Sequence, residues 1–564
     1  MRSAVGPGLE RLSSALRDAA REAGAPEGFE PDLERPRDRD HGDWSSNAAL
    51  VLARVLRESP RAVADRIAAA FDPASAGVTE VEVAGPGFLN FRLADEALWP
   101  GIAGVLAADR GWGRAEARPA RRINVEFVSA NPTGPLHVAH GRGAALGDAV
   151  ASLLEWSGHD VTREFYVNDA GRQILLLAES VEARFQELQG VESGIPEGGY
   201  HGGYVTDLAV ELRDEIGASA LEVMTRDERL DRFEREAVSR LRDGQARDLA
   251  EFGVVMDLFF SERSLYAGSA LDALLGRLAD AGMTYRSEGA LWLRTSTFGD
   301  EKDRVLIKGD GTFTYFLPDL AYHLEKAERG FDLTIDVWGA DHQGHEKRMQ
   351  AALTGLGLPD LLEVMIIQLV TVLRGGVEAR MSKRAGQFVT LRELVSECGA
   401  DVARYFFLMR RAEVHLNFDL DLALDTSEAN PVYKVQYAHA RMCSVFAKGA
   451  VASEAIEPSV DGIEELRTET ERAVAVAVLR LPEMVATAAA TRSPHTLCAY
   501  LEETAGLVNA WYHEGNLDHS LRVLADGAAR TGRLKLARAV QITLRNGLEV
   551  LGLTAPRTMA REAT

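Results

Sequence analysis

The sequence predicts an α/β chain in three parts: a doubly wound parallel sheet with an insertion, preceded by a small α+β domain and followed by an all-α helical bundle. Three observations predict it. At about 150 residues per domain, 564 residues make three to four domains, each large enough for its own core. Two strand–helix–strand units stand apart in the middle of the chain. From about residue 426 the apolar residues recur only at helical spacing.

Helical stretches near 8–22 and 47–57 precede an alternating run, Val78 to Leu93, that reads as strand, Gly-Pro-Gly turn, strand. The polar segment DRGWGRAEARPARR (109–122) marks a boundary, so the first domain takes 1–108. INVEFVS (123–129) is then a strand, NPTGPLH a loop, 138–156 a helix stopped by Gly158, and VTREFYV (161–167) a second strand. The stretch 171–300 breaks the alternation; it is charged, helical and reads as an insertion. A second unit follows, with a strand from 333, a helix over 344–356 and EVMIIQLVTVL (363–373) as one buried strand. Sheets of this kind bind ligands beyond the carboxyl ends of their strands. The sheet domain thus spans 109–425, and 426–564 form the bundle, opened by Pro431 with Val432, Val435, His439, Met442 and Phe446 on one face.

Composition narrows the function. The formal charge of −22 excludes a protein that coats nucleic acid nonspecifically, so a polyanion must meet local basic patches. Cys398, Cys443 and Cys498 are scattered, which fits a reducing cytoplasm and offers neither a disulfide framework nor a zinc knuckle. No signal-like N-terminus and no window of eighteen apolar residues is present, so neither export nor a membrane partner is expected. None of the eight lysines precedes Lys302, which leaves most basic work to arginine.

Two loops carry chemistry. SANPTGPLHVAH (129–140) lies between strand and helix, where backbone N–H groups and the helix dipole can meet a phosphate. His137 and His140, three apart, face that spot; a plain capping loop, or half a metal site lacking its third ligand, would read the same way. ARMSKRAGQ (379–387), after the last strand, places Met381, Ser382, Lys383 and Arg384 before Gly386 and can clamp a polyphosphate or stand as a solvated basic turn.

These segments resemble the HIGH and KMSKS signatures of class I aminoacyl-tRNA synthetases. EFVSANPTGPLHVAHGRGAALGD, REFYVNDAGRQ, DGTFTYFLPDLAYH, GADHQGH, MSKRAG and NPVYKVQYAHAR narrow the resemblance to the arginyl-tRNA synthetases. HGDWSSNAA, VEVAGPGFLNF and LGLTAPRTM carry it through both outer domains. Two positions depart: Ala139 stands where the family has glycine, beside the adenine, and Arg380 replaces the first lysine of KMSKS.

The resemblance implies a Rossmann-like catalytic domain, a tRNA-binding N-terminal domain and an anticodon-binding bundle. It implies activation of L-arginine by ATP with Mg²⁺ to arginyl-adenylate and pyrophosphate, then transfer to the 2′-hydroxyl of the terminal adenosine of tRNA(Arg), in a cytoplasmic monomer. His137 and His140 would stabilise the pentavalent phosphorus and Lys383 the leaving pyrophosphate. Pro132, Gly134, Gly141, Asp341, Met381, Ser382 and Arg384 would complete the ATP site. Arginine recognition calls for carboxylates against a planar guanidinium. Glu164, Tyr315 and Asp319 are the candidates, with Asn131, Asn168 and Asp169 nearer the α-amino and carboxylate groups and Tyr322 and Gln343 as further lining. An Asp entering a helix is also commonly a cap, Glu164 could be a strand-edge charge, and Asp341 with His342 could form a plain turn.

For tRNA, the last 44 residues carry eight basic against three acidic side chains, which puts Arg533 and Arg545 among the contacts with Arg441. Tyr433 and Tyr437, one turn apart, would stack on unpaired bases or pack within the helix layer.

Overall fold

The structure, a computed structural model, describes residues 7–36, 41–379 and 389–559; the side chains of Asp341 and Gln343 are not among those described. At its centre five strands form a parallel sheet in the spatial order Leu362–Ile367, Leu333–Gly339, Arg122–Glu126, Asp160–Val167, Leu258–Ser261. The chain starts in the middle, steps outward one way, and then returns to build the other half. That reversal is the doubly wound order expected of this fold class.

The helix Val138–Trp156 packs against this sheet, and most of its residues are buried. Small residues allow the approach: a Cβ on Gly147 would stand 2.2 Å from Phe127. Arg142 is also buried, its guanidinium donating to the carbonyls of Gln368 and Arg411 at 2.9 and 2.8 Å.

Two sequence expectations need correction. Leu258–Ser261 lies inside the stretch read as insertion, yet it forms the edge of the sheet beside Glu164–Val167. Four residues, LFFS, are too few for a periodicity to be read. The run 363–373 is not one strand but two. Leu362–Ile367 joins the sheet, whereas Val370–Arg374 pairs in parallel with Leu416–Asp419 in a separate small sheet. An apolar run conceals such a break because both halves are partly buried.

The inserted helices Arg172–Leu188, Gly203–Ile216 and Arg226–Glu251 build their own core around Leu177, Phe185, Leu212 and Phe233. A second satellite core gathers the helices Ala270–Asp280 and Phe316–Glu328 with the antiparallel strands Thr284–Ser287, Ala290–Leu293 and Arg304–Ile307. The main core runs unbroken from Leu12 through the sheet to Leu553 and so joins all three parts. In the N-terminal part the strands Val78–Ala84 and Phe88–Leu93 pair antiparallel, as the alternation predicts.

Candidate functional site

The crevice of a doubly wound sheet opens where the strand order reverses, here beyond the ends of Arg122–Glu126 and Leu333–Gly339. After Glu126 the chain turns through Val128 and Ser129, with φ of 71° and 40°. A β-branched valine rarely adopts such a conformation, so the turn must be braced. Ser129 Oγ donates to Glu126 Oε1 at 2.9 Å and accepts from the Tyr166 N–H at 3.1 Å.

The loop beyond is held by the inserted helices, a role the sequence did not reveal. Asn131 Nδ2 donates to Gln173 Oε1 at 2.7 Å, Gln245 Nε2 reaches the carbonyls of Asn131 and Gly134 at 3.0 and 2.9 Å, and Tyr204 Oη donates to the Thr133 carbonyl at 2.7 Å. Pro132 is buried between these contacts. His137 caps the helix, and His140 Nδ1 accepts the His137 N–H at 3.2 Å. Burial lowers the pKa of both imidazoles, His140 to about 3 with His137 adding to the effect. Both are therefore neutral donors at physiological pH rather than charges.

The segment from Val389, which follows the second chemistry-bearing stretch, pairs with the first loop. Leu391 N–H donates to the Leu136 carbonyl at 2.8 Å and Val138 N–H to the Val389 carbonyl at 3.1 Å. A Cβ on Gly141 would stand 2.6 Å from Leu391 Cδ1, so glycine keeps the helix close to this segment. Met381, Ser382, Lys383 and Arg384 lie outside the described residues. Asp341 closes the 3₁₀ turn Ala340–His342 together with His342, and Gln343 starts the next helix.

A carboxylate cluster lines the other side of the crevice. Asp319 lies in the first turn of the helix Phe316–Glu328, whose N-cap is Tyr315, so it is not the cap. One of its oxygens, Oδ2, lies 3.1 Å from His345 Nε2. Tyr315 is 87% exposed at the helix start. Glu262, which sequence reasoning missed, is the most perturbed acid here. Burial and the charges of Asp319 and Asp169 push its pKa up to about 7, against hydrogen bonds from Tyr266, at 3.0 Å, and Tyr166. A buried carboxyl crowded by like charges is stabilised by a proton or by a nearby cation. The only local signal was the polar pair Ser261–Glu262 ending an aromatic strand.

Asp169 shapes this cluster from behind: its oxygens accept from Ser261 Oγ at 2.6 Å and the Arg263 N–H at 2.9 Å. Asn168 lies beside it, half-buried.

Glu164 departs from expectation. It does grip a guanidinium, but that of Arg329, which donates to both its oxygens at 2.7 and 2.9 Å. Asn124 and Tyr322 donate to the same carboxylate, so no lone pair remains for a substrate, and Tyr322 is buried as part of that network rather than lining a pocket. Glu164 is one of a row: Asp336, Glu126 and Glu164 stand in register on three adjacent strands. His323, Lys326 and Arg329, three apart along one helix and its end, neutralise them. His323 faces acceptors at both nitrogens, Asp336 and the Asp319 carbonyl, which requires an imidazolium. Its pKa is accordingly raised: burial would lower it, and Asp336 outweighs burial.

The comparisons decide the family. The family model "tRNA synthetases class I (R), catalytic domain" matches residues 102–413, with "Arginyl tRNA synthetase N terminal domain" on 10–93 and "DALR anticodon binding domain" on 435–559. The chain belongs to the arginyl-tRNA synthetase family of class I. It is 44% identical to the arginine–tRNA ligase of Geobacillus thermodenitrificans over 98% of this chain and all of that one. The ligase of Bacillus subtilis is 44% identical over 93% of this chain and 94% of its own. The arginyl-tRNA synthetase structure from Thermus thermophilus superposes with a TM-score of 0.76 at 25% identity, covering 98% and 100% of the two chains. The Plasmodium falciparum arginyl-tRNA synthetase, at 15% identity and a TM-score of 0.74, shares the fold over 98% and 99%. This arginyl-tRNA synthetase is thus an ATP-using enzyme, an arginine–tRNA ligase.

In the helical domain of this arginyl-tRNA synthetase the terminal basic residues are mostly spent internally. Arg533 pairs with the buried Glu471 at 2.7 Å, Arg545 and Arg538 share Asp109 at 3.0 and 3.1 Å, and Lys535 donates to the Ser459 and Asp461 carbonyls. Arg533 and Arg545, expected as tRNA contacts, are thus engaged in core and interdomain ties, because charge counted along a sequence does not reveal where partners fold. Tyr433 and Tyr437 instead stack at 5.6 Å with nearly parallel planes, and Arg441 lies over Tyr437 and Tyr512 at 4.7 and 4.8 Å. All four are half-buried along one side of the bundle.

Proposed function

We propose that the enzyme's arginine pocket is formed by Asp319 and Glu262, with Asp169 behind them and Tyr315, Tyr166 and Tyr266 as walls, and that ATP lies along the HVAH loop. The observation that carries this reading is the grouping of Asp169 and Glu262 beyond the carboxyl ends of the strands Asp160–Val167 and Leu258–Ser261, where burial first, and then the charges of Asp319 and Asp169, push the Glu262 carboxyl up to about 7. A bound cation would relieve that crowding and keep the carboxyl ionised, and a guanidinium offers planar paired donors to carboxylates.

In this reading the enzyme activates L-arginine with ATP to arginyl-adenylate and pyrophosphate, then passes arginine to the 3′-terminal adenosine of tRNA(Arg). The amino acid carboxylate attacks the α-phosphorus of ATP, which arrives as its magnesium complex. Neutral His137 and His140 direct N–H groups at the developing charge, and Lys383 draws electron density from the leaving pyrophosphate. Pro132, Gly134 and Gly141 keep the phosphate side open, with Asp341, Met381, Ser382 and Arg384 completing it. Asn131, Asn168 and Gln343 serve the amino acid's polar end. No covalent nucleophile is needed.

Tyr433, Tyr437 and Arg441 offer a stacking strip for unpaired tRNA bases, supported by the parallel tyrosine rings and the arginine over Tyr437. The boundaries 1–108, 109–425 and 426–564 belong to this proposal and are supported by the ranges of the three family models. So do action as a monomer in the cytoplasm and independence of zinc. Among the described residues no single helix is long and apolar enough to cross a membrane.

ATP–pyrophosphate exchange, supported by tRNA, tests the pocket. Citrulline presents a carbonyl oxygen where arginine presents N–H donors, and discrimination of about 10,000-fold is expected. Asp319→Asn should raise the arginine KM far more than the ATP KM; an unchanged arginine KM would remove Asp319 from the pocket.

A further inference from the structure

The buried Glu164 and the half-buried Arg329 form a pair that the reaction itself does not use. Four hydrogen bonds, from Arg329 Nη1 and Nη2, Asn124 Nδ2 and Tyr322 Oη, all between 2.6 and 2.9 Å, saturate the carboxylate. From there direct contacts lead to the pocket. The Tyr322 ring packs on Tyr166 with centroids 4.7 Å apart, and next to Tyr166 the Val167 carbonyl accepts the Glu262 N–H at 3.0 Å. Glu164 and Tyr166 lie two apart on one strand and therefore share a face. Arg329 directly follows the helix that carries Asp319. The pair thus ties the helix that brings Asp319 to the strand Asp160–Val167, whose end holds the Glu262 backbone.

We propose that Glu164 and Arg329 are positioning residues for arginine recognition: the bidentate pair sets the spacing between Asp319 and Glu262. This rests on reading those two carboxylates as the guanidinium site. Two groups closing on a planar cation must be held to within about 0.5 Å. A bidentate bond resists both sliding and rotation of the helix against the strand, which a single contact does not.

The test compares Arg329→Met, Glu164→Gln, the double variant and Asp319→Asn, reading thermal unfolding together with the KM values for arginine and ATP in tRNA-supported exchange. Arg329→Met strands a buried carboxylate and should lower the unfolding midpoint as well as raise the arginine KM. The double variant removes the stranded charge, so its midpoint should recover while its arginine KM stays raised by at least about threefold and the ATP KM stays within about twofold. Tyr322→Phe, which keeps both charges and loses only the hydroxyl link, should raise the arginine KM in the same direction. Recovery of the arginine KM along with the midpoint would overturn the proposal and leave the pair a stabilising role only, and so would a parallel rise in the ATP KM. Should Asp319→Asn raise the arginine KM while the double variant does not, the pocket reading stands and this inference fails. An unchanged KM in Asp319→Asn removes both.

Discussion

The rings of His137 and His140 lie with centroids 3.7 Å apart and planes tilted by 30°, and His140 Nδ1 accepts the backbone N–H of His137. That bond places the His140 proton on Nε2, the nitrogen left to face a ligand. With both rings neutral, their contribution to catalysis is donor geometry. His140→Asn, which keeps one acceptor and one donor, should therefore retain more adenylate formation than His140→Ala, which should lose about 100- to 1,000-fold. Single-turnover adenylate formation measures this; equal losses would mean that the intact ring is required.

Glu262 makes arginine binding depend on pH. Its carboxyl is half ionised near 7 in the free protein, and a guanidinium binds only the ionised form with full strength. The arginine KM should rise as pH falls below about 7 and level off above about 8. In Glu262→Gln the KM should be higher throughout and lose that slope. A KM independent of pH between 6 and 8 in the parent enzyme would contradict the assignment.

The buried imidazolium of His323 links stability to pH in the opposite sense to a salt-bridged acid. Its folded-state pKa is raised, so its stabilising contribution is complete below the ordinary histidine value of about 6.5 and is lost as pH climbs through the folded value. His323→Leu should be less stable than the parent at pH 6 and differ from it less at pH 9. Thermal unfolding at both values checks this.

Binding of tRNA should separate the stacked tyrosines from the paired arginines. Tyr437→Ala should weaken tRNA binding by roughly 5- to 150-fold, the range for losing one stacked base, without changing its salt dependence. Arg533→Ala should lower stability by stranding Glu471, and leave the salt slope of the folded protein unchanged. Filter binding at several ionic strengths, with unfolding curves, distinguishes them. A shallower slope for Arg533→Ala would return that residue to the RNA surface.

Lys383→Ala should slow adenylate formation by about 100- to 1,000-fold with tRNA affinity nearly intact, as expected of one charge acting on the leaving pyrophosphate. Single-turnover activation is the measure, and a loss below about threefold would assign the role to Arg380 or Arg384.

The linear chain by itself determined the architecture and the family. Patterns that repeat within ten or twenty residues, such as the helix Val138–Trp156 between its two strands or the alternation through Val78–Leu93, need no distant partner to be read. Motifs such as HVAH and MSKR are local in the same way. Only the tertiary structure decided the use of individual charges. Glu164 looked like a ligand for arginine until Arg329, 165 residues away, occupied it. Arg533 looked free for RNA until Glu471 folded against it. Glu262 carries no mark in sequence beyond its pairing with Ser261 after an aromatic run, because its raised pKa arises from burial and from Asp169 and Asp319, which reach it from other elements. A charge's chemistry is set by what surrounds it in space, and for these residues the surroundings lie far along the chain.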